Sequence, residues 1–241
     1  YVEDTNSLAD KASVYQPEGT SVVYIGKEQQ DPIGTVVKDW TRYMKKGFTY
    51  HTSLEELEEV LTGEGEEKPQ MVVVDPEAVN WENDQEIKRL QDFTEEGINL
   101  VFSRLPDVKV LKENKALCDL LGIQKVKKDR TTVKGIHLYE GFLLGGEMIY
   151  QADKKQDQKN QDMELSFPWL QLESGTKVYM KGIPKDDTLK AEEYPVVIWR
   201  KSFEHASVFA VNGNYMEDAT GLGLLTGMLG EMSDYAIYPV V

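Results

Sequence analysis

Two hydrophobic patterns take turns along most of the chain: short continuous apolar runs, and stretches in which apolar residues recur every three or four positions. Continuous runs suit strands buried on both faces, and the longer period suits amphipathic helices. Their alternation predicts a parallel sheet between two layers of helices. Ser21-Val-Val-Tyr-Ile-Gly26 reads as the first strand. Asp31 then stands as an N-cap before Pro32, and Ile33, Val36, Val37, Trp40, Tyr43 and Met44 share one helical face up to Gly47. Phe48-Thr-Tyr-His51 suits a brief second strand, and Ser53 with Glu56 forms a capping box ahead of Leu54, Leu57, Val60 and Leu61.

Met71-Val-Val-Val-Asp75 is the clearest strand, being apolar and β-branched throughout. Asn83 or Asp84 caps the next helix, with Ile87, Leu90 and Phe93 facing the sheet and Gly97 ending it. Ile98-Asn-Leu-Val-Phe-Ser103 follows as a second central strand. A short helix from Asn114 to Leu121 closes at Gly122, and the basic stretch Lys125-Val-Lys-Lys-Asp-Arg130 leads into Thr131-Thr-Val-Lys-Gly-Ile-His-Leu138. The pattern then breaks, which predicts an irregular insertion near 143–190 containing an exposed polar loop at 151–162. Within it, Thr176-Lys-Val-Tyr-Met-Lys181 still reads as a strand. Tyr194-Pro-Val-Val-Ile-Trp199 and Ser207-Val-Phe-Ala-Val211 predict a hairpin turning through Lys201 to His205. A closing helix is expected over 221–229, its glycines allowing close packing on the sheet. The organisation expected is an N-terminal extension, 1–20, and one α/β domain, 21–241. Its sheet is expected to be open and mostly parallel, with helices on both faces and an added β-hairpin excursion.

Composition narrows the partners. A net charge of −15 repels a phosphate backbone, which argues against nucleic acid. No apolar run approaches the roughly 20 residues that cross a bilayer. The single cysteine, Cys118, excludes an internal disulfide and a multi-cysteine metal site. The chain starts at Tyr1 and ends in strand-like residues at 235–241, so we expect a segment of a longer polypeptide, with a signal peptide or membrane anchor placed outside it.

The candidate chemistry sits at strand ends, where open α/β sheets gather ligands. Asp75 occupies such an end, but the acid pair that would accompany a phospho-accepting aspartate is missing after the first strand, and a turn before Pro76 is the simpler role. Ser103 is the best-placed nucleophile, yet Arg104, Leu105 and Pro106 follow it where an elbow needs small residues. Cys118 lies within a helical pattern and reads as a core residue. His51, His137 and His205 have no metal-ligand spacing, and no glycine-rich phosphate loop is present, so neither a metal nor a cofactor is expected. Gly221-Leu-Gly223 fits helix packing better than anion binding. Asn212, Asn214 and Tyr215 follow the hairpin and could hold a sugar or amide, or simply turn the chain. Trp169 is the aromatic whose exposure beside Tyr179 or Tyr194 would favour sugar binding.

The succession Met71-Val-Val-Val-Asp75, Gly97-Ile-Asn-Leu-Val-Phe-Ser103, Leu117-Cys-Asp-Leu-Leu-Gly-Ile123, Pro195-Val-Val-Ile-Trp-Arg200 and Val208-Phe-Ala-Val-Asn-Gly213 resembles the class I glutamine amidotransferase-like fold, a flavodoxin-like architecture. It is similar in particular to the non-catalytic versions carried by carbohydrate-active proteins. More narrowly, it resembles the N-terminal domain of an uncharacterised family of exported bacterial proteins that also carry a polysaccharide-deacetylase-like domain. That resemblance implies an extracytoplasmic or cell-surface location and a downstream domain of the same polypeptide as partner. Active amidotransferases use a glycine-flanked cysteine and a late His-x-Glu, whereas this chain has Ser103 and the adjacent Glu204-His205. The expectation is therefore a non-catalytic accessory domain that binds carbohydrate or another small ligand. A hydrolase using Ser103 and a metabolite sensor with a pocket at the strand ends stand as alternatives.

Overall fold

Local capping sets the first elements. The Asp31 carboxylate accepts a hydrogen bond from the Gly34 N–H at 2.6 Å and starts α1, Pro32–Tyr43, after β1, Ser21–Ile25. Following β2, Gly47–His51, the helix α2, Leu54–Leu61, begins with the Glu56 N–H on Ser53 Oγ, while the Glu56 carboxylate accepts from the Thr52 N–H and hydroxyl. Asn83 caps α3, Asp84–Glu95, between β3, Met71–Val74, and β4, Asn99–Phe102. Then come α4, Val108–Glu113, which the sequence pattern does not announce, and α5, Lys115–Leu121, closed by Gly122 at a left-handed φ of 71°. The chain continues through β5, Ile123–Leu138; β6, Gly146–Ile149; β7, Ser166–Leu172; β8, Lys177–Pro184; β9, Val196–Ser202; β10, Ser207–Val211; and α6, Ala219–Met232.

This computed structural model describes residues 21–28, 31–61, 68–139, 146–149 and 166–232. The expected extension at 1–20, the polar loop at 151–162 and the strand-like end at 235–241 lie outside the described residues.

The strands form one open ten-stranded sheet in the order β2-β1-β3-β4-β10-β9-β8-β5-β6, with β7 paired to β5. Neighbours from β2 to β10 run parallel. From β10 onward every pairing is antiparallel. The sheet is thus mixed and not mostly parallel as expected: the predicted β9–β10 hairpin reverses the strand direction, and the pairings of β8, β5, β6 and β7 beyond it stay antiparallel. The expected irregular insertion is corrected likewise, because 166–184 supplies the regular strands β7 and β8. Their apolar residues are interrupted by Gln171, Lys177 and Lys181, so they lack the continuous pattern that betrays a strand buried on both faces. The basic stretch belongs to β5, whose register shifts near Lys125 and again before Arg130.

Successive residues of β1 serve two cores. Val22 and Tyr24 face α1 and α6; Val23 and Ile25 face α2, α3 and α5. Burying each such Val, Leu or Phe contributes roughly 1.5–3 kcal/mol. Gly221 lets α6 approach α1 and not the sheet, since a Cβ there would lie 2.9 Å from Val36 Cγ1 and from the Met216 carbonyl oxygen. Trp40 Nε1 donates to Thr226 Oγ1 at 3.1 Å across the same contact.

Candidate functional site at the strand ends

Strand order reverses between β1 and β3, because the chain leaves β1 toward β2 on one side and returns to β3 on the other. Such a reversal opens a crevice beyond the carboxyl ends of the strands, the usual ligand position in this architecture. Asp31, Asp75, Ser103 and Arg104 come together there.

Asp75 lies at the end of β3 with its side chain only 5% exposed. Its Oδ1 accepts from the Glu77 N–H at 3.0 Å, from Arg104 Nε at 3.2 Å and from Arg104 Nη2 at 3.1 Å, and its Oδ2 accepts from Nη2 at 3.1 Å. The turn role expected before Pro76 is present, with an arginine clamp added to it. Glu77 lies 3.5 Å from Arg104 Nη2 and 3.6 Å from Lys27 Nζ, which extends the network to the rim. The pattern of the sequence does not mark Arg104 as a site residue; the signal that could is a basic residue just past one central strand whose neighbour ends in Asp.

Tyr24 forms the floor beside this network. Its hydroxyl donates to Asp31 Oδ2 at 2.6 Å, and its ring stacks on Tyr50 at 6.1 Å. Burial, followed by the hydrogen bond and charge of Asp31, drives the phenol's pKa far above the ordinary tyrosine value, so Tyr24 is a permanent donor. Gly26 and Gly34 make room for it: a Cβ would fall 2.5 Å from Tyr24 Cε1 at Gly26 and 2.8 Å at Gly34. The Tyr50 hydroxyl donates to the Gly26 carbonyl at 2.9 Å.

Ser103 does not have the geometry of a nucleophile. It is 1% exposed and its Oγ donates to the Val74 carbonyl at 3.2 Å, inside the sheet. No imidazole is placed to activate it. His51, paired in register with Ile25, lies three strands away, roughly 14 Å at the usual strand spacing. His137 and His205 contact Glu147 and Glu204. His51 itself is buried, with Nδ1 3.4 Å from Glu56 Oε1 but without hydrogen-bond geometry at either ring nitrogen. Cys118 donates its thiol to the Leu111 carbonyl at 3.0 Å, and burial raises its pKa, which keeps it a thiol.

The other predicted ligand residues divide. Asn212 is 8% exposed, its N–H bonded to the Val197 carbonyl and its side-chain amide to the Val196 carbonyl, so it holds the hairpin and does not face a ligand. Tyr215 is half-buried against the core beside Gly213, which has a φ of 129°, and Asn214 is exposed. Trp169 is half-buried with Lys127 Nζ 4.3 Å over its ring; Tyr179 is fully buried, so it forms no exposed pair with Trp169, while Tyr194 is half-buried. Among the described residues no group of three His, Cys, Asp or Glu could hold a metal ion, and no helix is long and apolar enough to cross a membrane.

No family model matches the chain, and no curated protein matches it. Among solved structures, the exo-β-1,4-mannosidase Op5Man5 from Opitutaceae bacterium strain TAV5 is similar over 92% of this chain and 35% of its own length, with a TM-score of 0.46 and 13% identity.

Proposed function

We propose that the chain is a non-catalytic, ligand-binding accessory domain of the class I glutamine amidotransferase-like type. In this reading it belongs to an exported protein of cell-surface polysaccharide metabolism and works beside a downstream domain of the same polypeptide. Carbohydrate is its ligand class. The observation that carries the reading is the internal saturation of the strand ends: Ser103 is bonded to Val74, Asp75 to Arg104, and Asp31 to Tyr24 and Gly34. A nucleophile needs a free hydroxyl or thiolate with a base beside it. Here the hydroxyl is engaged, and the one thiol lies within α5 with a raised pKa. Glu204 and His205 fall in the β9–β10 turn, away from the strand ends where a His-x-Glu pair would act.

Thermal-shift measurements against neutral, amino and N-acetylated oligosaccharides test this reading, with a glutamine hydrolysis assay run in parallel. A ligand at ten times its Kd stabilises by about 1.4 kcal/mol, which raises Tm by about 3–6 °C for a domain of this size. We expect such a rise with at least one saccharide and no glutamine turnover. Uniform absence of stabilisation, or release of ammonia from glutamine, contradicts it.

A further inference from the structure

Among the described residues, helices cover both faces of the parallel half, but on one face of the antiparallel half their cover stops. Val196, Lys181, His137 and Glu147 pair in register across β9, β8, β5 and β6, forming one row on that face. Val196 is 5% exposed at the covered end, while the His137 and Glu147 side chains are 32% and 59% exposed. Their neighbours Ile136, Leu138 and Met180 point the other way, into the core beneath α1 and α6. Tyr139 follows directly on the end of β5, its N–H still bonded to the Tyr179 carbonyl and its ring against His137 on the open face.

The chemistry in this row is convergent. His137 Nδ1 lies 3.0 Å from Glu147 Oε1, and a carboxylate only accepts, so Nδ1 carries a proton and Nε2 is the ring nitrogen left to meet a ligand. The imidazole lies against Tyr139, with ring centroids 4.5 Å apart and the planes tilted by 59°. Lys181 Nζ donates to the Ala191 carbonyl at 3.3 Å and lies 5.9 Å from the Tyr139 ring centroid, with further N–H groups to offer. Directly opposed residues on paired strands hold their Cβ atoms about 4.5–5.5 Å apart. Nε2 of His137 and a donor on Lys181 at that spacing match two neighbouring hydroxyls, which can donate or accept, and the tyrosine beside them matches the C–H face of a sugar ring.

We infer that the open face of β6, β5 and β8 is a saccharide-binding platform, with Tyr139 as the stacking ring and His137 and Lys181 as the hydrogen-bonding pair for vicinal hydroxyls. This rests on the carbohydrate reading above and gives it a site away from the strand ends. The preferred ligand is a neutral hexopyranose. Glu147 on the rim and Glu192 beside Lys181 repel a carboxylated sugar, as does the net charge of −15. Burial lowers the pKa of Lys181, in keeping with an amine partly withdrawn from water before any ligand arrives.

Isothermal titration calorimetry with β-1,4-linked hexasaccharides of glucose, mannose and N-acetylglucosamine tests the inference, with oligogalacturonate as the charged comparison. One neutral hexasaccharide is expected to bind the unaltered protein. Tyr139→Ala should weaken that binding at least tenfold and Lys181→Ala several-fold, while Tyr139→Phe keeps the ring and binds as the unaltered protein does. Near-native circular dichroism in each variant separates lost binding from lost folding. Equal binding by the Tyr139→Ala variant, with loss in Arg104→Ala, moves the ligand to the strand ends and overturns the platform alone. Tighter binding of oligogalacturonate overturns the neutral preference, and binding by no saccharide overturns the carbohydrate reading beneath both.

Discussion

The two halves of the sheet solve the problem of polar groups differently. In the parallel half, β1, β3, β4 and β10 are covered by helices on both sides, and the polar residues at their ends are drawn into internal partnerships. In the antiparallel half one face lacks cover from the described helices, and the polar residues there, Lys181 and His137 partly and Glu147 well exposed, stand in a row with a tyrosine beside them. Position at a strand end thus does not by itself make a site. What matters is whether the polar atoms still have capacity to bond something else.

The largest effect that would test this contrast is at Asp75. Asp75→Ala leaves Arg104 without its clamp, and because that guanidinium is about a third exposed we expect a loss of about 2–3 kcal/mol in urea unfolding, below the 3–5 kcal/mol of a fully buried pair. Glu147→Ala, at the rim of the other half, should change stability by less than about 1 kcal/mol. Equal losses in the two variants would erase the distinction. Next comes Gly26→Ala, whose methyl group meets the Tyr24 ring at 2.5 Å; displacing that ring should cost about 1–3 kcal/mol, measurable by the same unfolding curves. A smaller, kinetic effect is expected at Cys118, which should react with a thiol-specific reagent at neutral pH more slowly than a free cysteine, since burial raises its pKa; reaction at the free rate contradicts its placement.

The smallest effect concerns acid stability at Glu56. The Thr52 N–H, then the Thr52 hydroxyl, lower its folded pKa below the ordinary value. A depressed carboxylate contributes stability that is fully present above the unfolded pKa, about 4.3, and is lost as the pH falls through the folded value. Glu56→Gln should therefore flatten the acid limb of a stability-against-pH curve in that window, by little because the group is exposed. An unchanged limb would show that Thr52 does not hold the carboxylate in solution.

Legibility in the sequence follows the same division. Met71-Val-Val-Val and Leu100-Val-Phe announce the parallel half because burial on both faces demands continuous apolar runs. Asp31, Ser53, Asn83 and Gly122 announce the helix ends through cap chemistry that is local. β7 and β8 are less legible, since the single buried face leaves Lys177, Lys181 and Gln171 among their apolar residues. Ser103 looked available because sequence shows which residue follows a strand but not that its hydroxyl turns inward to Val74. His137, Tyr139, Lys181 and Glu147 were invisible as a group, their proximity depending on the registers of three strands.

Hydrogen–deuterium exchange followed by mass spectrometry, with and without a saturating neutral hexasaccharide, tests the central claim most directly. Slower exchange on ligand addition should be confined to peptides spanning 134–139 and 177–184, with no change at 24–28, 75–80 and 103–107. Protection at the strand-end peptides, with the platform peptides unaffected, would contradict the account.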